Sequence, residues 1–329
     1  MNFFELFPSW LRSLFEHADL SEAELEEIRF RAGQPLIFRY LGQEYSLTQA
    51  GFLTQNIMNG IRLSQEDVTK VLECLSGYSL YAFDEETRQG FFTIPGGHRI
   101  GIAGKTVLEN GKVRCMRSIS FVNIRFSHEI RGTASSILPF LFEQGDFCDT
   151  LLIGPPRCGK TTLLRDLIRQ LSNGTNYHPG MTVGVVDERS EIGGAFRGVP
   201  QNDLGIRTDL LDGCRKSEGM LMLLRAMAPE IIAADELGNE EDRYAIKSVF
   251  HCGCHLLATA HGTSVSDAKR RPLLQELLNE SFFSRCVILS GRPSVGTICC
   301  VTNASGDLLY ECSTNNSRFP CENQSSGYS

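Results

Sequence analysis

Two kinds of hydrophobic spacing divide the chain. Over residues 2–16 apolar side chains fall at Phe3, Phe7, Trp10 and Leu14, with Phe4, Leu11 and Phe15 alongside, which predicts a helix packed on its own domain. Glu27-Ile28-Arg29-Phe30-Arg31 alternates and reads as a strand ending at Gly33, followed by Pro35-Leu36-Ile37-Phe38. Ser64 is placed to cap a helix, with Asp67 as an acidic variant of the capping box. Val68, Val71, Leu72 and Leu75 give that helix its apolar face, and Gly77 ends it. Residues 90–126 alternate strongly, and Asn110-Gly111 lies between Gly101–Leu108 and Lys112–Met116. An Asn-Gly pair between alternating segments signals a tight hairpin, because both residues tolerate positive φ. Residues 1–132 therefore read as a small α+β domain.

Beyond that point the order changes. A helix is predicted at about 134–144, then a short apolar strand at Thr150-Leu151-Leu152-Ile153. Thr182–Val186, a helix at 217–227, Glu230–Ala234, a helix at 239–250 and His255–Ala260 follow in alternation. Strands alternating with helices imply a parallel sheet with crossover connections, here an α/β domain over residues 133–312. The polar stretch Gln201–Ser217 and the turn formers of Gly198–Gly205 read as a mobile loop. Residues 313–329 are polar and read as a disordered tail.

Composition narrows the function classes. The 329 residues carry a net charge of −7, and 42% are hydrophobic, which suits two packed domains and argues against a nucleic-acid partner. The basic cluster Lys269-Arg270-Arg271 is short and reads as a solvated helix face. No apolar run approaches the ~18 residues of a membrane-spanning helix. The first residues lack the basic start and small-residue cleavage site of a signal peptide, so a cytoplasmic location is expected. The 12 cysteines are scattered through apolar stretches, as reduced, buried small hydrophobes would be. His251-Cys252-Gly253-Cys254-His255 offers soft ligands. On an extended strand, however, neighbours point to opposite faces and do not surround one ion.

The chemistry is concentrated in four segments. Gly154-Pro155-Pro156-Arg157-Cys158-Gly159-Lys160-Thr161 matches G-x-x-x-x-G-K-[ST], with a strand before it and a helix from Thr162 after it. Such a loop turns its N–H groups toward phosphate oxygens and aims a helix N-terminus at them. Lys160 is expected to bridge the β- and γ-phosphates of ATP, and Thr161 to ligate Mg²⁺. Glu230–Ala234 is an apolar strand ending in Asp235-Glu236, where an α/β sheet binds its ligand. Asp235 is then a Mg²⁺ ligand and Glu236 a base for water, the roles of the two acids remaining interchangeable. Val185-Val186-Asp187-Glu188-Arg189 ends another strand in acids, making Glu188 a second candidate base. Leu256–Ala260 ends in His261-Gly262, and a strand-end histidine there is placed to sense the γ-phosphate.

A P-loop, Asp187-Glu188, Asp235-Glu236 and Ala258-Thr259-Ala260-His261-Gly262, in that order, resemble the Walker A, Asp box, Walker B and His box of type II and type IV secretion ATPases. Asp235 stands where that family usually has Gly. Glu27–Arg31, Pro95–Gly104 (PGGHRIGIAG), Asn123–Arg125 and Asp187–Ile192 (DERSEI) resemble the stage III sporulation protein AA family over roughly residues 20–300. The resemblance implies a RecA-like ATPase domain and a homohexameric motor. It implies a place in the mother-cell cytoplasm beside membrane-embedded channel proteins joining mother cell and forespore. It also implies an arginine given to a neighbouring subunit's γ-phosphate. Arg117 is favoured among Arg99, Arg114, Arg117 and Arg125, with Arg207 and Arg215 as alternatives, and Gln201–Ser217 would lie near the ring pore.

Overall fold

The computed structural model describes residues 3–312 except Tyr177 and Pro293, so the predicted tail at 313–329 lies outside the described residues. The chain divides after His128 into two compact units, and Gly194–Phe196 goes with the first. The division falls slightly earlier than the change in sequence pattern. Arg131 is paired with Asp203 at 3.3 Å and the N–H of Ala134 donates to Asp166 at 2.8 Å, which ties residues 129–134 to the second unit.

In the first unit the N-terminal stripe is split. A 3₁₀ turn at Phe3–Leu6 precedes α1 (Ser9–His17), with Pro8 at the junction. A residue before proline is driven from helical geometry, so the break at Phe7-Pro8 follows from sequence. Phe3, Phe4, Phe7, Leu11 and Phe15 are all buried in this unit's core. The strands are β1 (Leu25–Arg31), β2 (Ile37–Tyr40), β3 (Gln43–Leu47) and β4 (Leu53–Thr54). Next come α2 (Gln65–Leu75), α3 (Asp84–Arg88), β5 (Phe91–Thr93), β6 (Arg99–Glu109) and β7 (Lys112–Arg125). Among the described residues they form one sheet in the order β4-β3-β2-β1-β7-β6-β5. Its pairings are antiparallel. Asn110 (φ 51°) and Gly111 (φ 76°) turn β6 into β7. The Ser64 side chain accepts from the N–H of Asp67, and the Asp67 carboxylate accepts from the N–H of Ser64, a complete capping box.

In the second unit, residues 134–144 are not a helix but a 3₁₀ turn at Leu138–Leu141 followed by a hairpin, β8 (Phe142–Glu143) and β9 (Asp146–Phe147). Pro139 sits in the first turn of that segment, and Gln144 (φ 53°) and Gly145 (φ 97°) supply the hairpin turn. Then follow β10 (Thr150–Gly154), α4 (Lys160–Asn173), β11 (Val183–Asp187), β12 (Thr208–Asp212) and α5 (Lys216–Ala226). After these come β13 (Ile231–Ala234), α6 (Arg243–His251), β14 (His255–His261), α7 (Val265–Ala268) and α8 (Pro272–Asn279). β15 (Arg285–Ser290), β16 (Thr297–Asn303) and β17 (Leu308–Glu311) complete the unit.

Its main sheet runs β12-β11-β13-β14-β10-β15-β16-β17, parallel as far as β15 and antiparallel over the last two pairings. Successive residues of β10 serve opposite faces. Leu152 packs with Leu163 and Leu167 of α4, whereas Leu151 and Ile153 pack with residues of α5, α6 and α8. Layers on both sides explain why these strands are apolar runs rather than alternations.

Two further expectations are overturned here. Gln201–Ser217 is not a free loop: Thr208–Asp212 pairs in parallel with Val183–Asp187 as the edge strand of the sheet. Lys269-Arg270-Arg271 lies between α7 and α8, not on a helix face, because Pro272 begins the next helix. Ser64→Ala is expected to cost about 1 kcal/mol by removing the α2 cap. The checking measurement is urea unfolding, with a lower midpoint and an unchanged slope. An unchanged midpoint would mean that other contacts hold this helix end.

Candidate active site

The register of the parallel strands brings the four chemical segments to one edge of the sheet. Gly154 pairs opposite His261, Ala234 opposite Ala258, and Val186 opposite Ala234. Strands running the same way and paired in this register release the P-loop, Glu188, Asp235-Glu236 and Gly262 at their common C-terminal side, where open α/β sheets bind ligands.

The loop from Gly154 to Lys160 is tightly constrained. A Cβ added to Gly154 would come within 2.4 Å of the Cys158 sulfur, and one on Gly159 would meet the Gly296 backbone at 3.0 Å. Gly159 is left-handed at φ 93° and so is Arg157 at φ 60°. Cys158 is buried beneath the loop, whereas Pro156 and Arg157 face solvent. Burial pushes the Cys158 thiol above its ordinary value, as expected of a packing residue rather than a nucleophile. Lys160 opens α4, followed by Thr161 and Thr162 in its first turn.

Lys160 is buried, and its ammonium donates to the carbonyls of Gly154 (3.0 Å) and Pro155 (2.9 Å) and to Nδ1 of His261 (3.3 Å). Thr161 Oγ1 donates to one carboxylate oxygen of Asp235 at 2.7 Å, and Thr259 Oγ1 donates to the other. Thr259 Oγ1 in turn accepts from the N–H of Glu236 at 2.9 Å. Glu236 sits at φ 55°, an uncommon geometry for a residue with a side chain. The Thr259 contact to its N–H and a 2.8 Å bond from the N–H of Leu237 to the Thr259 carbonyl hold it there. Its carboxylate meets His261 Nε2 at 3.1 Å and Arg189 Nη1 at 2.9 Å. The Arg271 guanidinium donates to the His261 carbonyl, which gives the basic cluster one member at the site.

The acidic pair at 187–188 is used differently. Asp187 is buried and accepts backbone N–H groups from Glu191 (2.8 Å), Ile192 (2.9 Å) and Gly193 (2.8 Å), shaping the loop after β11. Burial pushes its carboxyl up to about 6, against the pull of those N–H groups. Arg165, one turn along α4 from Thr161, donates to the carbonyls of Ile192 and Glu191 at 2.8 Å each. Glu188 is ion-paired with Lys216 at the start of α5.

Lys160, Thr161, Asp235, Glu236 and His261 thus form one connected set of hydrogen bonds, and Glu188 is turned to a separate lysine. Arg117 belongs to the first unit, exposed on β7 opposite Lys105. Arg207 donates to the carbonyl of Ser172 at the far end of α4, and Arg215 immediately precedes α5. Thr259, Arg165 and Arg189 carry structural weight that motif reading missed. Thr259 had a signal: a hydroxyl inside the buried run Leu256–Ala260 must find a partner.

The residues present fit a nucleotide's phosphates and a divalent cation. The loop has no room for side chains at Gly154 and Gly159, and a hydroxyl and a carboxylate stand 2.7 Å apart at Thr161 and Asp235. Among the described residues no helix is long and apolar enough to cross a membrane.

Solved structures share this architecture. An X-ray structure of the Legionella pneumophila ATPase DotB is 17% identical, with a TM-score of 0.56 over 85% of this chain and 76% of that one. The pilus retraction motor PilT, crystallised with bound ADP, is 15% identical with a TM-score of 0.56 over 95% and 84%. At such identities the likeness is one of fold, and the second unit is RecA-like. Stage III sporulation protein AA of Bacillus subtilis (strain 168) is 40% identical over 306 residues, 93% of this chain and 95% of that protein. The family described as sporulation stage III, protein AA matches residues 2–309, and the chain belongs to it.

Proposed function

We propose that the chain is an ATP-hydrolysing motor of the secretion-ATPase type. In this reading it energises assembly of, or transport through, a channel between mother cell and forespore during endospore formation. One observation carries the ATPase reading: Lys160, Thr161, Asp235, Glu236 and His261, from two strand ends and a helix start, are joined in a single hydrogen-bonded set. The sporulation role is supported by the family, and the channel by the secretion-ATPase fold.

In the proposed reaction water attacks the γ-phosphorus in line with the bond to the β-phosphate oxygen, which leaves on ADP. Residues 154–162 hold the phosphates, with Lys160 turned from its own loop to offset the charge on the β- and γ-phosphates. Thr161 and Asp235 would hold Mg²⁺, which when bound offsets phosphate charge. Glu236 orients the attacking water and takes its proton, and His261 stands beside it. Glu236 is chosen over Glu188 because it is bonded to His261 and adjoins Asp235, whereas Glu188 is turned to Lys216 at the start of α5.

The proposed working assembly is a homohexamer docked on membrane-embedded channel proteins, on the cytoplasmic side of the mother cell. Arg117, exposed on the first unit, is proposed to reach the γ-phosphate of a neighbouring copy. Arginines delivered in this way accelerate phosphoryl transfer by about 10³-fold or more.

Lys160→Ala and Glu236→Gln are each expected to lower steady-state ATP hydrolysis by about 100-fold or more. Glu236→Gln should retain nucleotide binding, measured by fluorescent ATP titration. Turnover that survives both changes would mean that this site is not the hydrolase. Mixing tests the arginine: a subunit carrying Arg117→Ala and one carrying Lys160→Ala should together regain activity that neither shows alone. A mixture as inactive as its components would remove Arg117 from the scheme.

A further inference from the structure

The three donors of the Lys160 ammonium meet three acceptors: the Gly154 carbonyl, the Pro155 carbonyl and Nδ1 of His261. A lysine ammonium cannot accept, so Nδ1 carries no proton and the neutral ring holds its proton on Nε2. That N–H points at one oxygen of Glu236, 3.1 Å away, while the other oxygen takes the Arg189 guanidinium at 2.9 Å. The arrangement therefore has a direction, from Lys160 through the His261 ring to Glu236, whose carboxylate also accepts from Arg189. The His261 backbone is fixed by Arg271 at its carbonyl, leaving the ring as the movable member.

Resting on the ATPase reading, we propose that this relay keeps Glu236 off duty while Lys160 lies on its own loop, and that Arg189 is the positioning residue holding it there. For Lys160 to reach a phosphate it must give up at least one of its three acceptors. Loss of the His261 contact leaves Nδ1 without its donor and frees the ring to turn away from Glu236. The carboxylate is then held by Arg189 alone. That pair is weak, because the Arg189 side chain is 63% exposed and Glu236 is 32% exposed. Arrival of phosphate at the lysine is in this way transmitted to the base across the site. The step involves only hydrogen-bond exchange, so no covalent bond or electron changes place.

The first arm needs no turnover. The full-length protein, labelled with ¹⁵N-histidine, is examined by long-range ¹H–¹⁵N correlation, with His261→Gln used to assign the signal. Without nucleotide, His261 is expected in the Nε2–H form. It should leave that pattern on addition of the non-hydrolysable analogue AMP-PNP with Mg²⁺, and in Lys160→Met without nucleotide. An Nδ1–H form in the free protein, or a pattern indifferent to Lys160→Met, would overturn the relay. The second arm is kinetic. Arg189→Gln is expected to raise kcat two- to fivefold, the range of an exposed ion pair, with KM changed less than twofold. Arg189→Lys should stay with the wild type. A kcat lowered tenfold, or one equal to wild type in Arg189→Gln, would overturn the role given to Arg189. Absence of turnover in the wild type would instead remove the ATPase reading, and the histidine signal would still decide the relay.

Discussion

Gly154 lies opposite His261 because β10 and β14 run parallel in one fixed register, and that pairing underlies the rest of the site. A slip of one residue would turn Leu151, Leu152 and Ile153 to the wrong layers and separate Lys160 from the histidine. The register is enforced by burial on both faces, since every residue of β10 and of β13 is buried. A parallel sheet covered by helices is costly to shift, because each strand is locked by side chains above and below. The precision of the strand ends therefore comes from apolar packing well away from the polar residues that use it.

The polar residues form a hierarchy built on that frame. Thr259, fully buried on β14, sets the turn of Glu236 through its hydroxyl and carbonyl and also donates to Asp235. Asp187 does the corresponding work for the loop after β11 by accepting three consecutive N–H groups. Arg165 links that loop to α4, the helix that begins with Lys160. Burial pulls its guanidinium below the ordinary value, and the surrounding carboxylates, Asp187 foremost, oppose that pull. Loop shape on one strand end is thus tied to the helix that presents the lysine.

Local signals in the sequence were reliable wherever the physics was local. The Ser64–Asp67 box, the Asn110-Gly111 turn and the P-loop glycines each satisfy their own backbone, so a few residues suffice to read them. The apolar strands ending in acids placed Asp235 and Glu236 together, and left their order of use open. What escaped was non-local. Gln201–Ser217 looks like a loop because Thr208–Asp212 is an edge strand, less buried and without an apolar run. Residues 134–144 have a helix-like spacing, but Pro139 and the left-handed Gln144-Gly145 pair prevail over it. Arg189 has no signature of its own, since its meaning depends on a carboxylate 47 positions away.

The most direct test of the ATPase account compares nucleotide binding with phosphate release on one sample of the full-length protein with Mg²⁺ and ATP. The account predicts phosphate released many times per bound nucleotide. Stoichiometric ATP binding that never turns over would contradict it and leave a nucleotide-gated scaffold in its place.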